Sequence, residues 1–157
     1  MAQYTSDATS IAKWFVVRAN NEFVDDGGVA EGITNLKLQK LLYFAQAVSL
    51  SVNGKPLFDD AIVAWQFGPV VPVIYKLFKV FGNNPVSIDK KVEGLSVEVT
   101  ALLEDVWSVY GKYSAHELVS ITHNHLPWQK AYNASASDKT ISIESVKEYY
   151  ADYYHRT

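Results

Sequence analysis

The sequence predicts a mainly α-helical fold: a compact, single-domain helical bundle over residues 1–157, with a short extended or β segment near residues 61–67. Apolar residues recur at helical spacing along successive stretches of the chain, and glycine or proline separates one stretch from the next. The chain is 48% hydrophobic and 20% charged, which is ordinary for a globular protein. A chain of this length buries about 68–70% of its unfolded surface, so one core suffices.

The first helix is predicted to begin after Ser6 or Asp7, because either side chain can cap the free N–H groups of the first helical turn. Ile11, Trp14 and Phe15 follow at spacings of three and four residues, which places them on one face. Residues 25–33 contain three glycines and show no helical or strand period, so they are predicted to form a loop.

The second helix is predicted over residues 35–52, with Thr34 or Asn35 as its N-cap and Asn53–Gly54 as its end. A broad apolar arc predicts that this helix is largely surrounded by other parts of the protein. The arc contains Leu38, Leu41, Leu42, Phe44, Ala45, Val48 and Val52.

The polar residues of this helix fall in one narrow stripe, here called the polar seam, which consists of Asn35, Gln39, Tyr43 and Gln46. Two interpretations of the seam are open. Its side chains can be interior groups that satisfy buried backbone atoms or one another. They can also form the floor of a groove that faces a partner or a ligand.

Residues 61–67 (AIVAWQF) are short, β-branched and aromatic, which favours a strand, and Gly68–Pro69 is predicted to end it. A helix should then run from Val70 or Pro72 to Phe81, because proline suits the first helical turn. This helix is predicted to combine a wide apolar face, formed by Val73, Ile74, Leu77, Phe78, Val80 and Phe81, with an outward side formed by Tyr75, Lys76 and Lys79.

In the second half, residues 89–95 are predicted to be extended and residues 96–110 helical, with Val99, Leu102, Leu103, Val106 and Tyr110 aligned on one face. Ser114 and Glu117 form a capping-box pattern that opens another helix, with Leu118, Ile121 and Thr122 facing inward, and Pro127 starts a short turn through Trp128. A closing helix begins near Ser142. Its tyrosines predict either the edge of the core or a contact patch; they are Tyr149, Tyr150, Tyr153 and Tyr154.

The composition excludes several classes of protein. The absence of cysteine excludes disulfides, thiolate nucleophiles and Cys-ligated metals and favours a reducing compartment. No signal peptide and no run of about 18 apolar residues is present, so we expect a cytoplasmic protein without a membrane partner. A net charge of −3 disfavours nucleic acid as a partner. The scattered lysines are interpreted as a solvated face; they are Lys37, Lys40, Lys76, Lys79, Lys90 and Lys91.

No catalytic or metal-binding pattern emerges. His116 and His123 would lie roughly 10 Å apart along a helix, which is too far to share a zinc ion, and His123 is interpreted as a helix-terminal residue bonded to backbone. Asp59 and Asp60 are adjacent and would point to opposite faces of an extended segment, so they are interpreted as turn residues. We expect neither catalysis, nor a cofactor, nor a metal.

Four stretches, in this order, resemble the Panacea domain: TNLKLQKLLYFAQ, the LF pair at residues 57–58, the segment from Ile62 to Tyr75 with its GPVVP core, and SAHELVSITHNHLPWQKAY. This is the antitoxin domain shared by SocA-like proteolytic adaptors and phage-associated GepA-like proteins. The resemblance covers most of the chain. The matching positions are Leu38, Gln39, Lys40, Leu41, Tyr43, Gln46, Trp65, Gly68, Pro69, Pro72, Tyr75, His123, Pro127 and Trp128.

The resemblance implies an antitoxin that neutralises a cognate protein toxin encoded beside it by direct binding. An alternative is an adaptor that delivers the toxin to an AAA+ protease, and a further alternative is a small ligand-binding protein or enzyme that uses Gln39, Tyr43 and Gln46. Many family members carry an appended helix-turn-helix segment that this sequence lacks, so DNA-based autoregulation is not expected.

Most of the matching positions are expected to serve the fold, and Trp65 is assigned to a buried scaffold with Leu38, Leu41 and Ala45. The tyrosines of the last helix are the first place to look for a toxin contact. The full set of candidate contacts is Gln39, Lys40, Tyr43, Gln46, Trp65, Gly68, Pro69, Tyr75, His123, Trp128, Tyr149 and Tyr153.

Overall fold

A computed structural model describes residues 6–22, 31–88, 92, 94–135 and 137–155. The predicted mainly helical fold is confirmed. The predicted loop at 25–33 and the predicted extended piece at 89–95 lie largely outside the described residues, and the described parts of both carry no strand. In chain order the elements are α1 (Ala8–Asn20), α2 (Asn35–Asn53), β1 (Val63–Trp65), β2 (Gly68–Val70), α3 (Pro72–Phe78), α4 (Val97–Tyr110), α5 (Ala115–His123), α6 (Leu126–Asn133) and α7 (Ile143–Tyr150), with short 3₁₀ turns at Lys79–Phe81 and Tyr153–His155.

The second helix, α2, is the centre of the fold. It contacts α1, α3, α4, α5, α7 and β2, and most of its residues are buried. The prediction of a surrounded helix is confirmed, except that Val52 in its last turn is 51% exposed. Within the described part of the chain, none of the helices combines the length and apolarity that crossing a bilayer requires.

Side-chain caps define where five of the described helices begin. Asp7, Thr34, Ser96, Ser114 and Ser142 each accept a hydrogen bond from a backbone N–H in the first turn of the following helix. The capping box between Ser114 and Glu117 is complete. The predicted helix starts are confirmed. They could be predicted from the local sequence because a cap involves residues only three positions apart.

The predicted strand is one half of a β-hairpin. Strands β1 and β2 pair antiparallel, with Val63 opposite Val70 and Trp65 opposite Gly68. We call residues 63–70 the hairpin and residues 65–67 its tip. Gly68–Pro69 was expected to end the extended run, and it instead opens the second strand, because the positive φ of Gly68 (104°) reverses the chain. On its other side β1 is joined by the Ala64 N–H, which donates to the carbonyl of Lys139 (2.9 Å).

The predicted wide apolar face of α3 is wrong. Ile74 and Phe78 are buried, but Val73, Leu77 and Val80 are 57%, 49% and 85% exposed. This short helix packs on α2 and α1 with one side only, so its remaining apolar residues face outward. The expected helix to Phe81 ends at Phe78 and continues as a 3₁₀ turn.

The C-terminal region differs from expectation in two places. The turn predicted at Pro127 is a helix of eight residues, α6, with proline near its start. The closing helix, α7, ends at Tyr150, so Tyr153 and Tyr154 lie in a separate 3₁₀ turn. The aligned core face predicted for α4 is confirmed for Val99, Leu103, Val106 and Tyr110, which are buried, while Leu102 is half-buried and packs against the core.

Candidate functional site

The hairpin tip exposes two large aromatic side chains. Trp65 is 39% exposed and Phe67 is 58% exposed. The expectation that Trp65 belongs to the buried scaffold is therefore wrong. Side chains alternate along a strand, and in β1 it is Ala64 that points into the core, which turns Trp65 outward.

The backbone of the tip is held from below by α5 and α6. The indole N–H of Trp128 donates to the carbonyl of Trp65, and Nε2 of His123 bonds the carbonyl of Gln66, both at 2.9 Å. The rings of His123 and Trp128 also stack on each other, with centroids 4.0 Å apart. The interpretation of His123 as a helix-terminal residue bonded to backbone is confirmed.

Lys40 supports the second strand of the hairpin. Its side chain has no exposed surface, and its Nζ donates to the carbonyl of Pro69 at 2.9 Å. Placing Lys40 on a solvated face was therefore wrong, because the sequence does not show the carbonyl 29 residues away that receives its ammonium group. Burial away from water lowers the pKa of Lys40 to about 7.

The buried side chain of Lys40 leaves space only for glycine at position 68. A Cβ atom at position 68 would lie 2.6 Å from Cε of Lys40 and 2.9 Å from Oγ1 of Thr122. Both of these neighbours are buried, and Gly68 itself has a backbone conformation that other residues rarely adopt. Gly68 and Pro69 thus shape the hairpin and are themselves buried.

The polar seam of α2 holds the chain on both sides of the hairpin. Oε1 of Gln39 accepts the N–H of Val71 (2.8 Å), and Nε2 donates to Oδ1 of Asn35 (2.9 Å). Asn35 in turn donates to the carbonyl of Tyr75 (3.1 Å). The path from β2 into α3 is therefore fixed by α2.

Gln46 does the same for the segment before the hairpin. Its Oε1 accepts the N–H groups of Leu57 and Phe58, and its Nε2 donates to the carbonyl of Phe58 (3.0 Å). Gln39 and Gln46 are both buried. The first interpretation of the seam is confirmed: its side chains are interior groups that satisfy buried backbone atoms or one another. Asn35 and Gln39 also line a groove.

This groove lies between the hairpin tip, α3 and the start of α2 and encloses a volume of about 490 Å³. Trp65, Phe67 and Tyr75 form its aromatic wall, and the rings of Trp65 and Tyr75 meet edge to face with centroids 5.1 Å apart. Among the described residues, the rim of the groove carries the ammonium group of Lys79 and the imidazole of His116. We call this cavity the hairpin groove.

A second polar cluster joins α2 to the C-terminal residues. The hydroxyls of Tyr43 and Tyr150 are 3.1 Å apart, and the Tyr150 hydroxyl is 2.5 Å from Nδ1 of His125. The hydroxyls of Tyr110 and Tyr154 are 2.8 Å apart. Burial raises the pKa of these tyrosines and lowers the pKa of His125, which favours the neutral form of each. We call this group the tyrosine cluster.

The two tyrosines named as candidate contacts lie at the edge of this cluster. Tyr149 is half-buried, and its ring lies 5.1 Å from that of His125. Tyr153 is 37% exposed. Of the two alternatives for these tyrosines, the edge of the core describes their position, because Tyr150 is fully buried and Tyr153 lies at the rim.

The sequence interpretation overlooked Phe67 and treated Lys79 only as an outward lysine. The signal that was available is the sequence WQFG between two extended runs, since residues at a hairpin tip cannot alternate into the core. Among the described residues, no three His, Asp or Glu side chains are grouped so as to hold a metal ion.

The central part of the chain matches a known protein family. The model of the family described as "Antitoxin SocA-like, Panacea domain" matches residues 38–129. The chain is 34% identical over 124 residues to Antitoxin SocA of Caulobacter vibrioides (strain NA1000 / CB15N). This alignment covers 71% of the chain and 66% of the relative, so the chain spans just under two thirds of that protein. No solved structure gives a significant match.

Proposed function

This chain belongs to the SocA-like Panacea antitoxin family, and we propose that it neutralises a cognate toxin, encoded next to it, by binding that protein directly. The observation that carries this proposal is the hairpin tip. It presents Trp65 and Phe67 to solvent on a backbone that is held by three buried or half-buried side chains, those of Lys40, His123 and Trp128.

Exposed aromatic side chains on a fixed backbone suit protein binding. Tryptophan is enriched among residues that dominate interface energies, and aromatic rings with only two side-chain torsions lose little entropy on binding. A rigid backbone lowers the ordering cost further. An exposed apolar tip also costs solubility, and a binding role gives a reason for its presence.

The alternative of a ligand-binding protein or enzyme built on the polar seam has less support. Oε1 of Gln39 and both polar atoms of Gln46 bond the backbone of this chain, Nε2 of Gln39 bonds the side chain of Asn35, and the hydroxyl of Tyr43 bonds Tyr150. These bonds account for the seam as part of the fold. We place the antitoxin in the cytoplasm, because a sequence without cysteine suits a reducing compartment.

The test is co-expression with the protein encoded by the adjacent gene. We expect the neighbouring protein alone to stop growth, the pair to restore growth, and the two proteins to elute together from a size-exclusion column. Continued growth arrest in the presence of the soluble antitoxin, without a complex, would overturn the proposal.

The same cells distinguish binding alone from delivery to a protease. We expect the half-life of the toxin to be unchanged by the antitoxin in cells that contain their AAA+ proteases. A half-life that shortens with the antitoxin, and recovers when one AAA+ protease is deleted, would establish the adaptor role instead.

A further inference from the structure

On the basis of the proposed function, we infer that the toxin binds in the hairpin groove through an extended peptide segment. This segment places an apolar side chain against Trp65 and Phe67 and a carboxylate beside Lys79. The inference concerns which surface binds and which chemistry it selects. An experiment can therefore reject the groove as the binding surface without rejecting the antitoxin role.

The shape of the groove suits an extended segment. Its volume of about 490 Å³ is far too small for a folded domain and large enough for a few side chains. Trp65 and Tyr75 already contact each other edge to face, so the aromatic wall is formed before a partner arrives. Phe67, the third residue of the wall, is 58% exposed, so the apolar surface of the wall extends from the groove to the surface of the protein.

The charge of the groove differs from that of the chain. The protein has a net charge of −3, but the described residues that line the groove include Lys79 and His116 and no carboxylate. The nearest acid in sequence to His116 is Glu117, and its side chain accepts the N–H of Ser114 in the capping box. A carboxylate on the partner therefore meets an ammonium group at Lys79 that forms no ion pair with a described carboxylate, which favours acidic segments over basic ones.

The floor of the groove is fixed by hydrogen bonds within the chain. Asn35 donates to the carbonyl of Tyr75, and Gln39 donates to Oδ1 of Asn35. Both residues are buried, so the floor, like the aromatic wall, is formed before a partner arrives. A preformed site lowers the ordering cost of binding a peptide segment.

A competing apolar surface exists on the outer side of α3. It consists of Val73, Leu77 and Val80, which are all exposed. This stripe is carried by a single short helix and its 3₁₀ turn, whereas the groove is lined by residues of α2, both hairpin strands, α3 and α5. The stripe serves as the control surface in the test.

The test measures the affinity of the antitoxin for the neighbouring gene product with matched pairs of variants. We expect Phe67→Ala to weaken binding about 30-fold, because truncating an anchor residue typically costs about 2 kcal/mol. Val80→Ala, an exposed apolar change outside the groove, should alter binding less than about threefold. The exposed fraction of Phe67 is 58%, so its removal leaves the fold intact, which thermal melts will verify.

A second matched pair tests the charge. Lys79→Glu should weaken binding at least about tenfold and abolish its salt dependence, while Lys76→Glu, an equally exposed change outside the groove, should not. Overlapping peptides from the toxin should then yield a segment that competes with the intact toxin and contains an apolar residue near Asp or Glu. Reversing that acid to Lys should restore binding to Lys79→Glu.

The outcomes separate the two claims. If the wild-type complex forms and both groove variants bind normally, the groove inference is wrong and the antitoxin role stands. Loss of binding in Val80→Ala but not in Phe67→Ala would move the interface to the outer stripe of α3. Failure of the wild-type pair to associate at all counts against the antitoxin role rather than against the groove.

Discussion

The hairpin and the tyrosine cluster both depend on hydrogen-bonding side chains, several of which lie on α2, and they use these side chains in different ways. At the hairpin, side chains bond backbone atoms: Lys40 to the carbonyl of Pro69, Gln39 to the N–H of Val71, and His123 to the carbonyl of Gln66. In the tyrosine cluster, side chains bond other side chains, as in the pairs Tyr43–Tyr150 and Tyr110–Tyr154.

This difference separates two tasks. A bond to backbone fixes the path of the chain whatever side chains the tip carries, so the tip can vary its side chains without losing its conformation. A bond between side chains fixes the positions of helices and fails when either partner changes. The hairpin is therefore suited to recognition, and the tyrosine cluster is suited to closing the fold around α2.

The strongest test of the hairpin side is Gly68→Ala. We expect this change to destabilise the protein by about 3 kcal/mol, because it adds positive-φ strain to a clash with the buried Lys40. The control is Gly54→Ala, where φ is also positive (70°) but the nearest atom is Nζ of Lys147 at 4.0 Å; it should cost about 1 kcal/mol. Urea unfolding of both variants measures the difference, and equal losses would show that Lys40 does not restrict this position.

The charge of Lys40 gives the next largest effect. Its folded-state pKa of about 7 lies below its unfolded value of about 10.4, so the unfolded chain holds a proton that the folded protein releases as the pH rises. Stability is thus lowest below pH 7 and should increase by about 2 kcal/mol between pH 7 and pH 9.

Lys40→Met removes this titration. The free energy of unfolding of the variant should lack the rise that the wild type shows between pH 7 and pH 9, as measured by urea denaturation at each pH. Parallel pH profiles for the two proteins would show that Lys40 is not held in a desolvated state.

Tyr150→Phe tests the tyrosine cluster. The change removes a hydroxyl that bonds both Tyr43 and His125 and leaves those buried groups short of a partner, so we expect a loss of about 1–2 kcal/mol. Tyr132→Phe, at an exposed tyrosine of α6, should change stability by less than about 0.5 kcal/mol. Toxin binding by Tyr150→Phe should stay within about twofold of wild type at a temperature where it is folded; a larger loss would contradict the separation of tasks.

Apart from the control variants, the smallest stability effect is expected for Trp65→Ala. A fully buried tryptophan costs about 3–5 kcal/mol when truncated, whereas Trp65 is 39% exposed and its carbonyl, which bonds Trp128, remains in the variant. We expect about 1 kcal/mol in thermal or urea unfolding. A loss as large as that of Trp128→Ala, whose ring is 9% exposed, would place Trp65 with the scaffold after all.

The parts of the fold that the sequence predicted are those that depend on neighbouring residues. Caps at Thr34 and Ser114 need only the N–H groups three positions ahead, and the helical period of α2 and α4 is visible within each segment. The seam at Gln39 and Gln46 was also interpretable, because amides on a surrounded helix need internal partners.

The parts that were missed depend on distant residues. The burial of Lys40 follows from the carbonyl of Pro69, and the outward position of Val73 follows from which side of α3 meets α2. The resemblance to a family located Trp65, Tyr75, His123 and Trp128, but Phe67 and the groove role of Lys79 required the hairpin in three dimensions. Local sequence patterns thus predicted most of the helices and the first strand, whereas the groove could be recognised only from the way these elements pack.

The bond between Tyr43 and Tyr150 has a consequence for protein synthesis. Because the chain is synthesised from its N-terminus, α2 leaves the ribosome long before the residues that cover it. Phe44 cannot pack on Tyr110, and Tyr43 cannot bond Tyr150, until those later residues have been made. A chain that is truncated before Tyr150 keeps part of α2 uncovered. Only a chain translated beyond Tyr150 can therefore complete this part of the core, and a chain interrupted earlier exposes apolar surface that favours aggregation.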